Sequence, residues 1–184
     1  DPVNDAPVLE AIADTSTFED VPLTIALFAS DVDNTELFFD ESSDTSAVTV
    51  SVVDDSLTMT PAADWNGTAN ITVTVSDGFL TDDETFVLNV TPVNDAPTIE
   101  LPESFTFAED GSFIDDFSGY VGDIDEDELT LTVSGNDSVI VDIVDFAVTF
   151  GSVQDWNGIE TLTFTIDDLH GRAIAEDSLD IVVT

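Results

Sequence analysis

The side chains able to do chemistry in this sequence are almost all oxygen donors, and nearly all carry negative charge. Asp and Glu number 41 in 184 residues, against a single Lys or Arg, which is Arg172, and a single His, His170. Many acids stand in short, spaced groups: Asn4-Asp5, Glu19-Asp20, Asp31-x-Asp33, Asp64, Asp77, Asn94-Asp95, Glu109-Asp110, Asp123-x-Asp125, Asp155 and Asp168. Carboxylates and amide carbonyls in clusters suit a hard divalent cation such as calcium, which takes six to eight oxygens at about 2.3–2.6 Å. The same composition removes other chemistries. With a net charge of -40 the chain is repelled by nucleic acid and by anionic lipid. Without Lys or Cys it has no Schiff-base, P-loop or thiolate chemistry, no disulfide and no zinc–thiolate site.

The acidic groups recur because the chain repeats itself. Pro2-Val-Asn-Asp-Ala-Pro7 returns unchanged as Pro92-Val-Asn-Asp-Ala-Pro97. Phe18-Glu-Asp20 matches Ala108-Glu-Asp110, Asp31-Val-Asp33 matches Asp123-Ile-Asp125, and Asp64-Trp-Asn-Gly67 matches Asp155-Trp-Asn-Gly158. Ile71-Thr-Val-Thr-Val-Ser-Asp77 matches Leu162-Thr-Phe-Thr-Ile-Asp-Asp168. The reading is two copies of one domain, over 1–91 and 98–184, joined by a short, proline-stiffened linker at 92–97. The chain opens and closes at repeat boundaries, which predicts a segment of a longer array. With 42% hydrophobic residues there is enough apolar side chain for a core. Apolar residues alternate with Thr, Ser and Asp, as in Ile71-Thr-Val-Thr-Val75, which means strands with one buried face. Strands are expected near 8–12, 22–28, 36–40, 47–53, 56–60, 71–75 and 84–90. Their counterparts are expected near 98–107, 128–133, 138–143, 146–150, 162–166 and 178–183. About seven short strands per 90 residues predicts an all-β chain of two tandem Greek-key β-sandwiches of cadherin or immunoglobulin type. No run of 18 apolar residues is present.

The Pro-Val-Asn-Asp-Ala-Pro junctions, the Glu-Asp pair, the Asp-x-Asp, the Asp-Trp-Asn-Gly corner and the late Ser-Asp-Gly together resemble the bacterial cadherin-like tandem repeats of large secreted surface proteins. That resemblance implies calcium at the junctions, an extracellular or cell-surface location, and a role as an extender within an adhesin or biofilm protein. It also implies adjacent repeats as partners, with polysaccharide or a like domain as a further one. On that reading three groups of ligands converge on the central junction: Glu19 and Asp64 from the first copy, Asn94 and Asp95 from the linker, and Asp123, Asp125 and Asp168 from the second. The corresponding N-terminal set is Asn4, Asp5, Asp31, Asp33 and Asp77. Glu109, Asp110 and Asp155 form the far half-set, and both outer sets are expected to bind more weakly.

Other features carry less chemistry. Asp123-x-Asp-x-Asp127 resembles the start of an EF-hand loop, but position six is Glu128 rather than Gly and position twelve is Ser134 rather than Glu. Trp65 and Trp156 are expected to plug the ends of the sandwiches, with Asn-Gly making the turn. Phe113, Phe117 and Tyr120 have no aligned counterpart in the first copy, and either a ligand patch or a loop folded onto the core would explain them. Of Phe38 and Phe39, adjacent in a strand, one is expected to face solvent. His170 and Arg172 lack a nucleophile elbow, so no enzymatic activity is expected. A calcium-dependent polysaccharide-binding or self-associating module is the alternative to the extender.

Overall fold

The computed structural model describes residues 3–170 and 174–184, so Pro2 of the first junction motif and Arg172 lie outside the described residues. The chain divides into two compact units, Asp1–Val93 and Asn94–Thr184, each a β-sandwich. The first contains β1 (Val8–Leu9), β2 (Thr15–Phe18), β3 (Leu23–Ala26), β4 (Ala29–Ser30), β5 (Phe38–Ser43), β6 (Val48–Val53), β7 (Ser56–Pro61), β8 (Gly67–Ser76) and β9 (Thr81–Thr91). Its four-stranded sheet has the order β2-β9-β8-β5 and its three-stranded sheet β3-β7-β6, with β1 and β4 forming a two-residue ladder. The second contains β10 (Thr98–Ile99), β11 (Ser104–Phe107), β12 (Phe113–Asp116), one 3-10 turn (Phe117–Gly119), β13 (Val121–Gly122), β14 (Thr130–Ser134), β15 (Val139–Val144), β16 (Ala147–Ser152), β17 (Gly158–Asp167) and β18 (Ile174–Val183). Its sheets repeat the plan as β11-β18-β17-β14 and β12-β16-β15, with the small ladder β10-β13.

The period-two pattern does what the sequence predicts. Along β8, Ala69, Ile71, Val73 and Val75 are fully buried while the intervening residues face outward. They meet Phe86 and Leu88 of β9 and Leu57 and Met59 of β7 in one core. The second core repeats this with larger rings: Phe164 of β17, Phe150 of β16 and Phe117 are all buried. Phe105, Phe113, Phe117 and Phe150 pack with centroids 4.8–6.3 Å apart.

Four local expectations change. The element expected over 98–107 is two strands, because Pro102 cannot donate and Leu101 N–H goes to the Asp177 carboxylate at 2.7 Å instead of a ladder. β2, β4, β12 and β13 are additional strands; β2, Thr-Ser-Thr-Phe, carries too little apolar content to read as one and is held by parallel pairing to β9. Phe113 and Phe117 do have counterparts. Phe113 pairs with Phe150 as Leu23 pairs with Met59, and Phe117 N–H bonds to Phe146 O as Leu27 N–H bonds to Asp55 O. They are core residues at the same 90-residue offset as the junction motif, and the two extra residues of the second unit come after them, between Phe117 and β13. The corner turns at Asp64 and Asp155, both with φ near 60°, rather than at Asn-Gly. The glycine instead makes room for the indole. A β-carbon on Gly67 or Gly158 would stand 3.0 or 3.1 Å from the ring of Trp65 or Trp156, which is folded over it.

Candidate metal centre

The β1–β4 ladder pairs Val8 with Ser30, which places the Asn4-Asp5 stretch beside the loop that begins at Asp31. Asp33 Oδ2 accepts the Asp5 N–H at 2.9 Å, and Asp31 Oδ1 accepts the N–H groups of Asp33 and Asn34 at 2.7 and 2.6 Å. Asp77, just after β8, is buried. Its Oδ1 accepts the N–H groups of Phe79 and Leu80, both at 2.7 Å, and its Oδ2 accepts the Asn4 amide at 2.7 Å. The Asn34 amide bridges Asn4 Oδ1 at 3.0 Å and Asp77 Oδ2 at 3.4 Å. All five residues of the predicted N-terminal set therefore lie in one network at one end of the first unit.

The second unit repeats it. Asp125 Oδ2 accepts the Asp95 N–H at 2.8 Å, Asp123 Oδ1 accepts the Asp125 N–H at 2.9 Å, and Asp168 Oδ2 accepts the Asn94 amide at 2.8 Å. Asp168 is wholly buried. Oxygens of Asp123, Asp125 and Asp127 all lie within 4.8 Å of one another. Two ligands on one calcium are separated by at most about 5 Å, so this spacing suits a shared ion. Asp127 falls outside the predicted set because the EF-hand register fails there; its i, i+4 spacing from Asp123 is the available signal. Asn34 has no sequence signal beyond its place next to the Asp-x-Asp.

The charges are held ready for a cation. The Leu80 N–H, then the Asn4 amide and Phe79 N–H, keep the Asp77 carboxyl below its ordinary range. The Asn94 amide and then the His170 N–H do the same for Asp168. His170 Nδ1 stands 2.9 Å from Asp168 O and 3.3 Å from Asp127 Oδ2; the bond to Asp168 and the charge of Asp127 push its pKa up. It is an exposed loop residue whose ring partners among the described residues are Asp168 and Asp127.

One oxygen in each unit decides the chemistry. Asp31 Oδ2 and Asp123 Oδ2, at matching positions, are buried and have no hydrogen-bond partner. An unpaired buried carboxylate oxygen is costly, and the first 93 residues contain no Lys, Arg or His to pair with it. At 5 Å and an effective dielectric of about 20, each pair of like charges costs roughly 3 kcal/mol. A bound divalent cation removes both penalties. The residues of both sets fit calcium in ligand type and charge, and in the second unit the Asp123, Asp125 and Asp127 oxygens fit it in spacing as well.

The other predicted ligands lie elsewhere in the unit. Glu19, at the end of β2, is buried and its carboxylate accepts the Val93 N–H. Asp64 precedes the ten-residue β8, at the end opposite Asp77, and its N–H bonds to Asp20 Oδ1 at 3.2 Å. Asp20, next to Glu19 in the repeated Glu-Asp pair, belongs with this group. In the second unit the same turn forms, with Glu109 N–H on Thr184 O at 2.9 Å and Asp110 and Asp155 both at positive φ.

The family profile described as cadherin-like domain matches residues 3–91. The first unit is a cadherin-like repeat. The second has the same landmarks and the same strand order. Over 98% of this chain and all of the other, the structure is similar to the EC1-2 structure of human protocadherin-24, with 21% identity and a TM-score of 0.64. Human mucin-like protocadherin EC1-2 aligns over 97% of this chain and 98% of its own, with 15% identity and a TM-score of 0.58. These likenesses support the cadherin-like sandwich. An endo-fucoidan hydrolase of glycoside hydrolase family 107 also aligns, at 20% identity and a TM-score of 0.41. The chain spans 29% of that enzyme's length, and the match carries no argument about activity. No curated protein matches the sequence. Cadherin-like domains are extracellular repeats of adhesion type that typically bind calcium and associate with like repeats. Among the described residues, no helix is long and apolar enough to cross a membrane.

Proposed function

We propose that the chain is a calcium-stiffened pair of cadherin-like repeats that extends a large extracellular adhesin, without enzymatic activity. The observation that carries the calcium reading is the pair of buried, unpartnered oxygens at Asp31 and Asp123. One ion set is drawn from Asn4, Asp5, Asp31, Asp33 and Asp77, and its equivalent from Asn94, Asp95, Asp123, Asp125 and Asp168, with Asp127 added. Glu19 supports the idea that a preceding repeat contributes ligands, because its carboxylate holds the N–H of Val93, the residue before Asn94. By the repeat resemblance, Glu19 and Asp64 are ligands that a repeat lends to the one that follows it, and stiffness follows from ligands shared by consecutive repeats. The bacterial setting rests on the Pro-Val-Asn-Asp-Ala-Pro resemblance. The extender reading is favoured over a polysaccharide-binding module because Trp65 and Trp156 are folded onto their own glycines and packed against the cores, which leaves no indole platform.

Small-angle scattering in EDTA and in millimolar calcium tests the role. An extender becomes longer and less variable in shape on adding calcium. Unchanged scattering despite bound calcium would remove the stiffening role and leave only the binding.

A further inference from the structure

The second unit carries a surface hollow whose lining differs in part from the matching surface of its twin. A depression of about 510 Å³ is floored by Ile114, Val144, Phe146 and Ala147 and rimmed by Asp115, Asp116 and Asp145. A second, of about 490 Å³, shares Ser118, Asp145 and Phe146 and continues to Leu129, Glu128 and Asp127, where it reaches the edge of the candidate calcium set. Ile114 and Val144 are 65% and 62% exposed, so the floor is open to solvent. Strand register fixes the equivalent positions in the first unit: Asp116 pairs with Ala147 as Ala26 pairs with Ser56. Where the second unit has Ile114, Asp115, Asp116 and Phe146, the first has Thr24, Ile25, Ala26 and Asp55. Val144 and Asp145 are matched by Val53 and Asp54, so the departure from the repeat plan lies in Ile114 and Phe146 on the floor and Asp115 and Asp116 on the rim. Asp116 also caps the 3-10 turn by accepting the Ser118 N–H at 3.0 Å, and Asp115 accepts the Tyr120 hydroxyl at 3.0 Å, while the first unit builds the same sheet without these acids.

An apolar floor inside an acidic rim is complementary to a segment that offers apolar side chains flanked by cations. This chain has one Arg and no Lys, so a second copy cannot supply that pattern. We propose that this groove is a docking site for a basic, partly apolar peptide segment of another protein. Apolar contact with Ile114, Val144 and Phe146 supplies selectivity, and Asp115, Asp116 and Asp145 supply the salt-sensitive attraction.

The test uses the full 184-residue chain saturated with calcium, titrated with a hexapeptide of alternating leucine and lysine and separately with hexalysine. Backbone amide resonances serve as the readout. The proposal expects saturable shifts confined to residues around Ile114, Val144 and Phe146, and at least tenfold weaker binding of hexalysine. Replacing exposed side chains in Ile114→Thr/Asp145→Asn should weaken the leucine–lysine peptide at least tenfold, with the calcium-dependent melt unchanged. Equal binding of the two peptides, shifts spread over the acidic surface, no shifts at all, or a double variant that binds like the parent would each overturn it. The melt reports on calcium separately, so failure here is distinguishable from failure of the metal reading.

Discussion

Asp31 and Asp123 each spend one oxygen on their own loop's N–H groups and leave the other buried and unpaired. Asp123→Asn keeps the loop acceptor but removes the charge, and it should raise the calcium dissociation constant of the second set at least tenfold by calorimetric titration. Asp44 gives a control outside the calcium sets. It takes the Asn70 amide and N–H at 2.6 and 2.9 Å, and these bonds hold its carboxyl below the ordinary carboxylate range. A depressed folded-state pKa means that its contribution to stability is present above the unfolded value and is lost as pH falls through the folded one. Asp44→Ala should therefore lower the melting temperature at neutral pH, and the gap to the parent should close in acid, once the carboxyl is protonated in both states. A gap that persisted at acid pH would assign the effect to something other than the charge.

At the scale of elements, the two units solve one turn in opposite ways. In the first, Asp44 in the turn reaches across to Asn70 of β8. In the second, the matching position is Gly135, at φ 85°, where a β-carbon would stand 3.1 Å from Thr161 O. The acid has moved to Glu160 of β17, whose carboxylate accepts the N–H groups of Asp137, Ser138 and Val139. Glu160→Ala strands those donors and should cost about 1–3 kcal/mol in chemical denaturation. Phe164→Ala, opening a cavity beside the rings of Phe117 and Phe150, should cost about 3–5 kcal/mol. The strands that carry these residues are legible because Leu162-Thr-Phe-Thr-Ile166 alternates cleanly. β2 is not legible, because a short polar strand is defined by its neighbour β9 rather than by its own pattern. Phe113 and Phe117 mislead because larger rings stand where the first copy has Leu23 and Leu27, so the match shows in strand register and not in residue identity. Asp127 is hidden by a failed EF-hand register, although its oxygen lies within 4.8 Å of those of Asp123 and Asp125.

For the whole molecule, charge sets the terms. A net charge of -40 with one Lys or Arg gives strong self-repulsion in the compact state, so monovalent salt alone should raise stability modestly in EDTA. Calcium should do far more than equal ionic strength, because it fills specific oxygen sets. Ion binding to the folded state alone contributes about 2.7 kcal/mol per site at a hundredfold excess over the dissociation constant. The repeat landmarks expose this organisation in the sequence, since Asn-Asp, Asp-x-Asp and the late Asp recur in register and close into one network in each unit. The most direct measurement is a thermal melt of the parent and of Asp31→Asn/Asp123→Asn in EDTA, in millimolar calcium and in sodium chloride of matched ionic strength. A large calcium-specific rise in the parent that mostly disappears in the double variant is the predicted result. Equal melting of the parent in calcium and in matched sodium chloride would show the acidic sets to be surface charge and contradict the account.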